Sequence, residues 1–363
     1  MLEEIARAID RHDYQYASEL LGQLKEKDPE NPWVQFYQGR LYEISGDLES
    51  ADRVYRQLLR DAINPKILAE TRRGVARLEA IEKQKQERSL LQAKAVPGAQ
   101  EQGILILEPI SLELKKTAAQ QFAKIFKLDP YTAQLHLPTR SWRFYRTGQM
   151  GELQFYTTAL KQVQIPCFCI PLNRLETINV YQVNYFQTIE PQVTVVCQDS
   201  QGQMGTLSFS SREIEGRVEG LLPLFEESLQ MDSQRKTYRK TKTLDYAQFC
   251  DLHLPGRKSI LRLNDRHYKF QEGINFRVES QSNSIQQTTT RRNWNNLVKF
   301  LQQKLPNIPV RSDFTPFAES AIDYSEMLRH IKPHVNLLRR QESPWDAAFQ
   351  LYSGLVFLRG LQS

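Results

Sequence analysis

The sequence is poor in cysteine. Four thiols in 363 residues cannot form a disulfide framework, so a reducing compartment, the cytosol, is expected. No stretch approaches the roughly 18 consecutive apolar residues that a membrane-crossing helix needs. The opening residues, MLEEIARAIDRHD, are acidic and amphipathic, unlike a secretory leader or an Arg-rich transit peptide. There is no G-x-x-x-x-G-K-[ST] loop, no G-x-G-x-x-G turn and no G-x-S-x-G elbow. The usual footings for ATP hydrolysis, dinucleotide chemistry and serine hydrolysis are therefore missing. Neither sign of charge dominates: 48 Lys and Arg face 42 Asp and Glu, for a formal +6. That mild excess fits RNA, a membrane surface or an acidic protein, and selects none of them.

Metal-binding and nucleophilic residues are also thin. Cys167 and Cys169 share one side of an expected strand, Cys250 and His253 have C-x-x-H spacing, and His330 and His334 have H-x-x-x-H spacing. A structural zinc needs four closely organised ligands, and the last two pairs lie far apart in the chain. Pro333 also disturbs the helix that would align His330 with His334. No metal, cofactor, catalytic residue or small-molecule ligand is indicated.

What is present begins with a repeat. Residues 31–65 read as a helix, a turn at Ser45-Gly46-Asp47 and a second helix. The same plan occurs 34 residues earlier, with Ile5, Ala8, Ala17, Leu21 and Leu24 matching Gly39, Tyr42, Ala51, Tyr55 and Leu58. That period marks a helical-hairpin array. Gly39, Tyr42, Ala51 and Tyr55 make the second hairpin resemble the tetratricopeptide repeat, with Pro65 slightly late. The first departs from that pattern at Ile5 and Leu21, while its Pro29 falls where the closing proline belongs. The resemblance implies a concave surface that holds protein segments, with Ala6, Asp10, Phe36, Arg40 and Glu43 facing inward. A long helix over 66–94 is expected to cap the array, its charged second half in solvent.

The chain then divides into a linker at 95–103, a small α/β domain at 104–172, a β-rich domain at 173–305 and a helical segment at 306–363. The order β-α-α-β-α-β over 103–172 resembles the ribosomal stalk protein's C-terminal domain and the Clp protease adaptor, both binding modules. The β-rich part predicts strands at 178–186, 192–199, 204–210, 245–252, 258–265 and 266–273, with hairpin turns at Gln201-Gly202 and Asn264-Asp265. VEGLLPLFEE reads as a helical interruption. An amphipathic helix, Arg292 to Leu305, closes a pleckstrin-like roll or a β-sandwich. The tail predicts a helix over FAESAIDYSEMLRHI and another from Pro344. The latter is apolar on a broad face and is expected to dock internally. The expected class is thus α+β and multidomain.

Two clusters mix cations with aromatics, as single-stranded RNA binding requires. The first is Arg140, Trp142, Arg143, Tyr145 and Arg146; the second is Arg235, Lys236, Tyr238, Arg239, Lys240 and Lys242. The default reading of the second is an exposed strand edge kept soluble by lysine. Finally, DPYTAQLHLP, WRFYRTG, DYAQFCDLHLPGR, FTPFAES and WDAAFQLYSGLVFLRG resemble a family of cyanobacterial tetratricopeptide-repeat proteins that carries no assigned activity. The resemblance implies a cytoplasmic or stromal-side protein. The leading expectation is a non-enzymatic adaptor or assembly factor with a protein partner. The alternative is an RNA-binding or ribosome-associated factor.

Overall fold

A computed structural model describes residues 1–231, 237–276, 289–337, 339 and 343–360. It contains two compact units, Met1–Gln92 and Ala93–Ser363. The first is a helical array: α1 (Leu2–Asp10), α2 (Tyr14–Lys27), α3 (Pro32–Ser45), α4 (Leu48–Asp61) and most of α5 (Pro65–Lys94). Each turn has its own chemistry. Asp13 caps α2 by accepting from the Tyr16 N–H, Asn31 caps α3 through the Trp33 N–H, and Asp47 caps α4 through the Ser50 N–H. Gly46 ends α3 at φ 86°, in the left-handed region that glycine enters without strain. The Ser45-Gly46-Asp47 turn is therefore as expected.

Ile5, Ala8, Ile9, Ala17, Leu20, Leu21 and Val34 form one core of the array. Phe36, Ala51, Tyr55, Leu58, Ile67 and Leu78 form the next. The expected capping helix is α5, which buries Ile67, Thr71, Gly74 and Leu78. Most of the charged stretch after Leu78 is exposed.

The second unit begins with β1 (Gln102–Leu107), α6 (Leu112–Phe126), α7 (Pro130–His136), β2 (Arg143–Gln149), α8 (Met150–Gln162) and β3 (Cys167–Pro171). This is the expected β-α-α-β-α-β order. The strands form an antiparallel sheet ordered β2-β1-β3. Both of its faces are buried, which is why β1 reads as an unbroken apolar run. Ile104 and Ile106 enter one core with Phe144, Phe168 and Ile170. Leu105 and Leu107 enter another with Phe122, Leu153 and Cys167.

After α9 (Asn173–Glu176) come β4 (Asn179–Thr188), β5 (Val193–Gln198), β6 (Met204–Phe209), β7 (Gly216–Met231), β8 (Thr237–Leu254) and β9 (Ser259–Asn264). The chain ends with α10 (Thr290–Lys304), β10 (Val310–Arg311), α11 (Phe314–Ala321), α12 (Ser325–Leu328) and α13 (Pro344–Gly360). The described strands make one open mixed sheet, ordered β10-β7-β8-β9-β4-β5-β6, and among the described residues they close into neither a roll nor a sandwich. Trp294, Leu297 and Leu301 of α10 pack on one face with Val195, Leu252 and Leu263. On the other face α13 and α11 meet Val218, Phe249 and Ile260, in the core shared with the small sheet. The compositional boundaries at 172 and 305 thus fall inside one continuous core.

Three local expectations change. VEGLLPLFEE is strand β7, not helix, because it pairs with β8 along its whole length. Among the described residues, β8 alone flanks the strand at Pro223, so the missing N–H breaks no second ladder there. Residues 266–273 make turns. They meet β4 through isolated bonds, Lys269 N–H to Asn184 O and Tyr268 Oη from the Phe186 N–H, beside the irregularities of the β4–β5 ladder. Asn264-Asp265 therefore leads into these turns and closes no hairpin. The helix expected over FAESAIDYSEMLRHI breaks at a 3₁₀ turn, Ile322–Tyr324, between α11 and α12. Helix α13 is buried nearly all round, from Asp346 to Leu355 without interruption, and is the unit's central helix.

Candidate binding sites

In the helical array, three of the residues expected to face inward, Phe36, Arg40 and Glu43, are already engaged within the array. Phe36 is buried against Trp33, Tyr37 and Tyr55, so it is a core ring and not an open anchor. Glu43 is also buried. Arg40 Nη1 donates to both of its carboxylate oxygens at 3.0 Å. Arg77 adds a fork at 2.8 and 3.1 Å, and Tyr55 Oη donates at 2.9 Å. These bonds hold the Glu43 carboxyl below its ordinary range against the opposing effect of burial. Two guanidiniums thus share one carboxylate, and they stay 26% and 39% exposed. Ala6 is half-buried and Asp10 exposed. Asp10 and Glu70 both act on Tyr37, raising its phenol together with burial.

The first basic–aromatic cluster turns inward. Trp142 is buried against Phe168 and Tyr352, with the Arg311 guanidinium over its ring. Tyr145 packs among Phe122, Phe126 and His136, and burial pushes its phenol up to about 12. Arg146 lies over Phe126 and Tyr156 and pairs with Glu152. Arg143 donates to the Leu135 carbonyl, while Arg140 is exposed. The aromatics that would stack on bases are therefore occupied, because β2 is covered on both faces.

In the second cluster, Arg235 and Lys236 lie outside the described residues. Among the described residues, Tyr238, Arg239, Lys240 and Lys242 of β8 pair with β7 alone, since β9 pairs with Phe249–Leu254. Exposed Lys242 stands opposite Glu226.

Cys250 and His253, three residues apart on a strand, join different surroundings. Cys250 is in the core under α10, and His253 bonds to Ser353 of α13. Cys167 is buried below α8, its Sγ 3.7 Å from the Thr157 carbonyl.

Sequence reading missed a buried polar row. Asp251, Arg262 and Gln182 stand side by side on β8, β9 and β4. Arg262 forks onto Asp251 at 2.9 and 2.7 Å and donates to the Pro333 and His334 carbonyls. Its guanidinium also covers the Phe349 ring. Gln182 donates to the His334 carbonyl. Ser353 Oγ donates to Asp251 at 2.6 Å and lies 3.0 Å from His253 Nε2. Serine, histidine and aspartate meet here, but serine stands in the middle, whereas nucleophile activation needs the histidine there. All three are buried. The row ties the 333–334 loop and α13 to the sheet.

That loop forms part of a cavity of about 1050 Å³ within the second unit. Leu172, Leu175 and Ile178 wall it near α9, Val180 and Tyr181 come from β4, and Met327 and Ile331 from α12 and beyond. Asp199, Ser200 and Gln201 of the β5–β6 turn reach it, with Lys332, His330, His334 and the buried Gln350. Burial and nearby Arg262 push His334 down to about 4, so its imidazole is neutral at pH 7. The neutral polar residues of this site carry no motif; only their convergence in the fold reveals them. Comparison of the chain with protein-family models, with curated proteins and with solved structures finds no match.

Proposed function

We propose that the chain is a non-enzymatic adaptor or assembly factor whose helical array, of the tetratricopeptide-repeat kind, holds an acidic segment of a protein partner. The observation that carries this reading is the Arg40–Glu43–Arg77 cluster. One carboxylate cannot neutralise two guanidiniums, and Arg40 engages it through Nη1 alone. A partner's Asp or Glu supplies the second carboxylate, as Arg forks favour. Arg73, on the neighbouring turn of α5, is exposed and pairs with Glu70 at 2.8 Å. Ala6 and Asp10 remain contact candidates, whereas Phe36 and Glu43 are buried.

The experiment is to purify the tagged full chain from its own cells, with and without nuclease, and identify what accompanies it. A defined protein set that survives nuclease and weakens with salt supports the reading. The variant Arg40→Gln/Glu43→Gln/Arg77→Gln removes the charges together and leaves no buried carboxylate unpaired. Loss of the partner with unchanged helical circular dichroism is expected, and retained binding sinks the proposal. A second reading, nucleic-acid binding, rests on the β7–β8 ribbon with Arg239, Lys240 and Lys242 on one strand. It gains if the co-purifying material disappears with nuclease.

A further inference from the structure

The second unit contains a cavity. Its volume of about 1050 Å³ sits at the upper end of organic-ligand sites, roughly 300–1000 Å³. Ile178, Val180, Met327 and Ile331 give it an apolar wall. On this wall Gln350 is 1% exposed, and its side-chain oxygen has no hydrogen-bond partner among the described residues. A buried acceptor without a donor is costly to keep, so an unmet one in a residue that lines a cavity marks where a donor arrives. Among the described residues around the cavity, Glu176, Asp199 and Glu326 outnumber Lys332, the one lysine or arginine there. Glu326 is paired with Arg329 at 2.9 Å, while Glu176 and Asp199 still leave the rim acidic. This small negative excess disfavours an anionic ligand.

We propose that this cavity binds a small amphiphile carrying no negative charge. Its N–H or O–H donates to Gln350 Oε1, and its apolar body lies on Ile178, Val180, Met327 and Ile331.

N-phenylnaphthylamine is a suitable probe, because its single N–H lies between apolar rings and its fluorescence rises out of water. Titration of the full chain is expected to saturate at one probe per chain. The N-methylated analogue, which lacks only the donor, should bind about fivefold more weakly, as one modest hydrogen bond implies. Gln350→Leu, similar in volume, should erase that preference while keeping affinity for the methylated probe. Met327→Trp should fill the space and weaken both probes at least about tenfold. The sulfonated analogue should bind more weakly than the neutral probe. Absence of saturable binding, or a donor preference that survives Gln350→Leu, overturns the assignment. Binding unaffected by Met327→Trp places the probe elsewhere and does the same. Equal affinity for the sulfonated probe overturns the charge limit. If Met327→Trp does not fold, the Gln350→Leu comparison decides.

Discussion

Asp251 and Arg262 face each other across β8 and β9 as a two-pronged ion pair, and neither side chain reaches solvent. Such a pair balances a large desolvation cost, so removing one partner is worse than removing both. Arg262→Met or Asp251→Leu alone should destabilise the protein by about 3–5 kcal/mol. Asp251→Leu with Arg262→Met should cost clearly less than the sum of the two. Urea unfolding of the four proteins closes the cycle. Simple additivity would mean that the pair is not coupled as its geometry requires.

The same row sets a pH response. Burial holds His253 down to about 4, with Asp251 opposing and Arg262 assisting, and His334 is likewise pushed down to about 4. In the unfolded chain both imidazoles take the ordinary value of about 6.5. Below that value the unfolded state binds protons that the folded state refuses, so acid favours unfolding. Stability from these two groups is complete above about pH 6.5 and is lost as pH falls toward 4. Thermal melts between these limits should show the decline, and His253→Gln should make it shallower. An unchanged slope in that variant would remove His253 from the response.

Much of the fold was legible because short apolar runs between Pro and Gly signals name their own elements. The ILIL and PCFCIP runs are β1 and β3, and the broad apolar face from Trp345 to Phe357 reads correctly as an internally docked helix. What was not legible depends on register. LLPLF carries no alternation of its own, and its strand character comes from pairing with β8. Asp251 and Arg262 meet only because β8 and β9 align at those positions. WRFYR looks like an RNA-stacking surface until both faces of β2 are covered, a property of α6, α8, α11 and α13 rather than of the segment. The cavity is harder still: Val180, Met327 and Gln350 come from three separate elements.

Burial raises every thiol. Cys167 is pushed up to about 12, Cys197 to about 11, and Cys250 and Cys169 are raised for the same reason. Thiolate is the reactive form, so the native protein should react slowly with iodoacetamide at pH 7.5, and all four cysteines should react in denaturant. Cys169, the least buried, should lead. Mass spectrometry of tryptic peptides orders the sites. Rapid native labelling of Cys250 would contradict its place beneath α10.

Tyr55 fills the space between two glycines, Gly39 on α3 and Gly74 on α5. A Cβ at Gly39 would stand 2.6 Å from the ring, and one at Gly74 2.8 Å. The ring cannot swing aside freely, because its hydroxyl is bonded to Glu43 and it packs on Phe36. Alanine normally favours a helix over glycine by about 1 kcal/mol. Here overpacking, typically about 1–3 kcal/mol, opposes that gain. Gly39→Val should therefore destabilise the array outright, and Gly39→Ala should fail to stabilise it. Tyr55→Leu, which vacates part of the ring's volume, should reduce the penalty of Gly39→Val in the double variant. Circular dichroism melts of the four proteins measure the coupling. A stabilising Gly39→Ala, or a Gly39→Val penalty unchanged by Tyr55→Leu, would show that the ring does not set the spacing of α3 and α5.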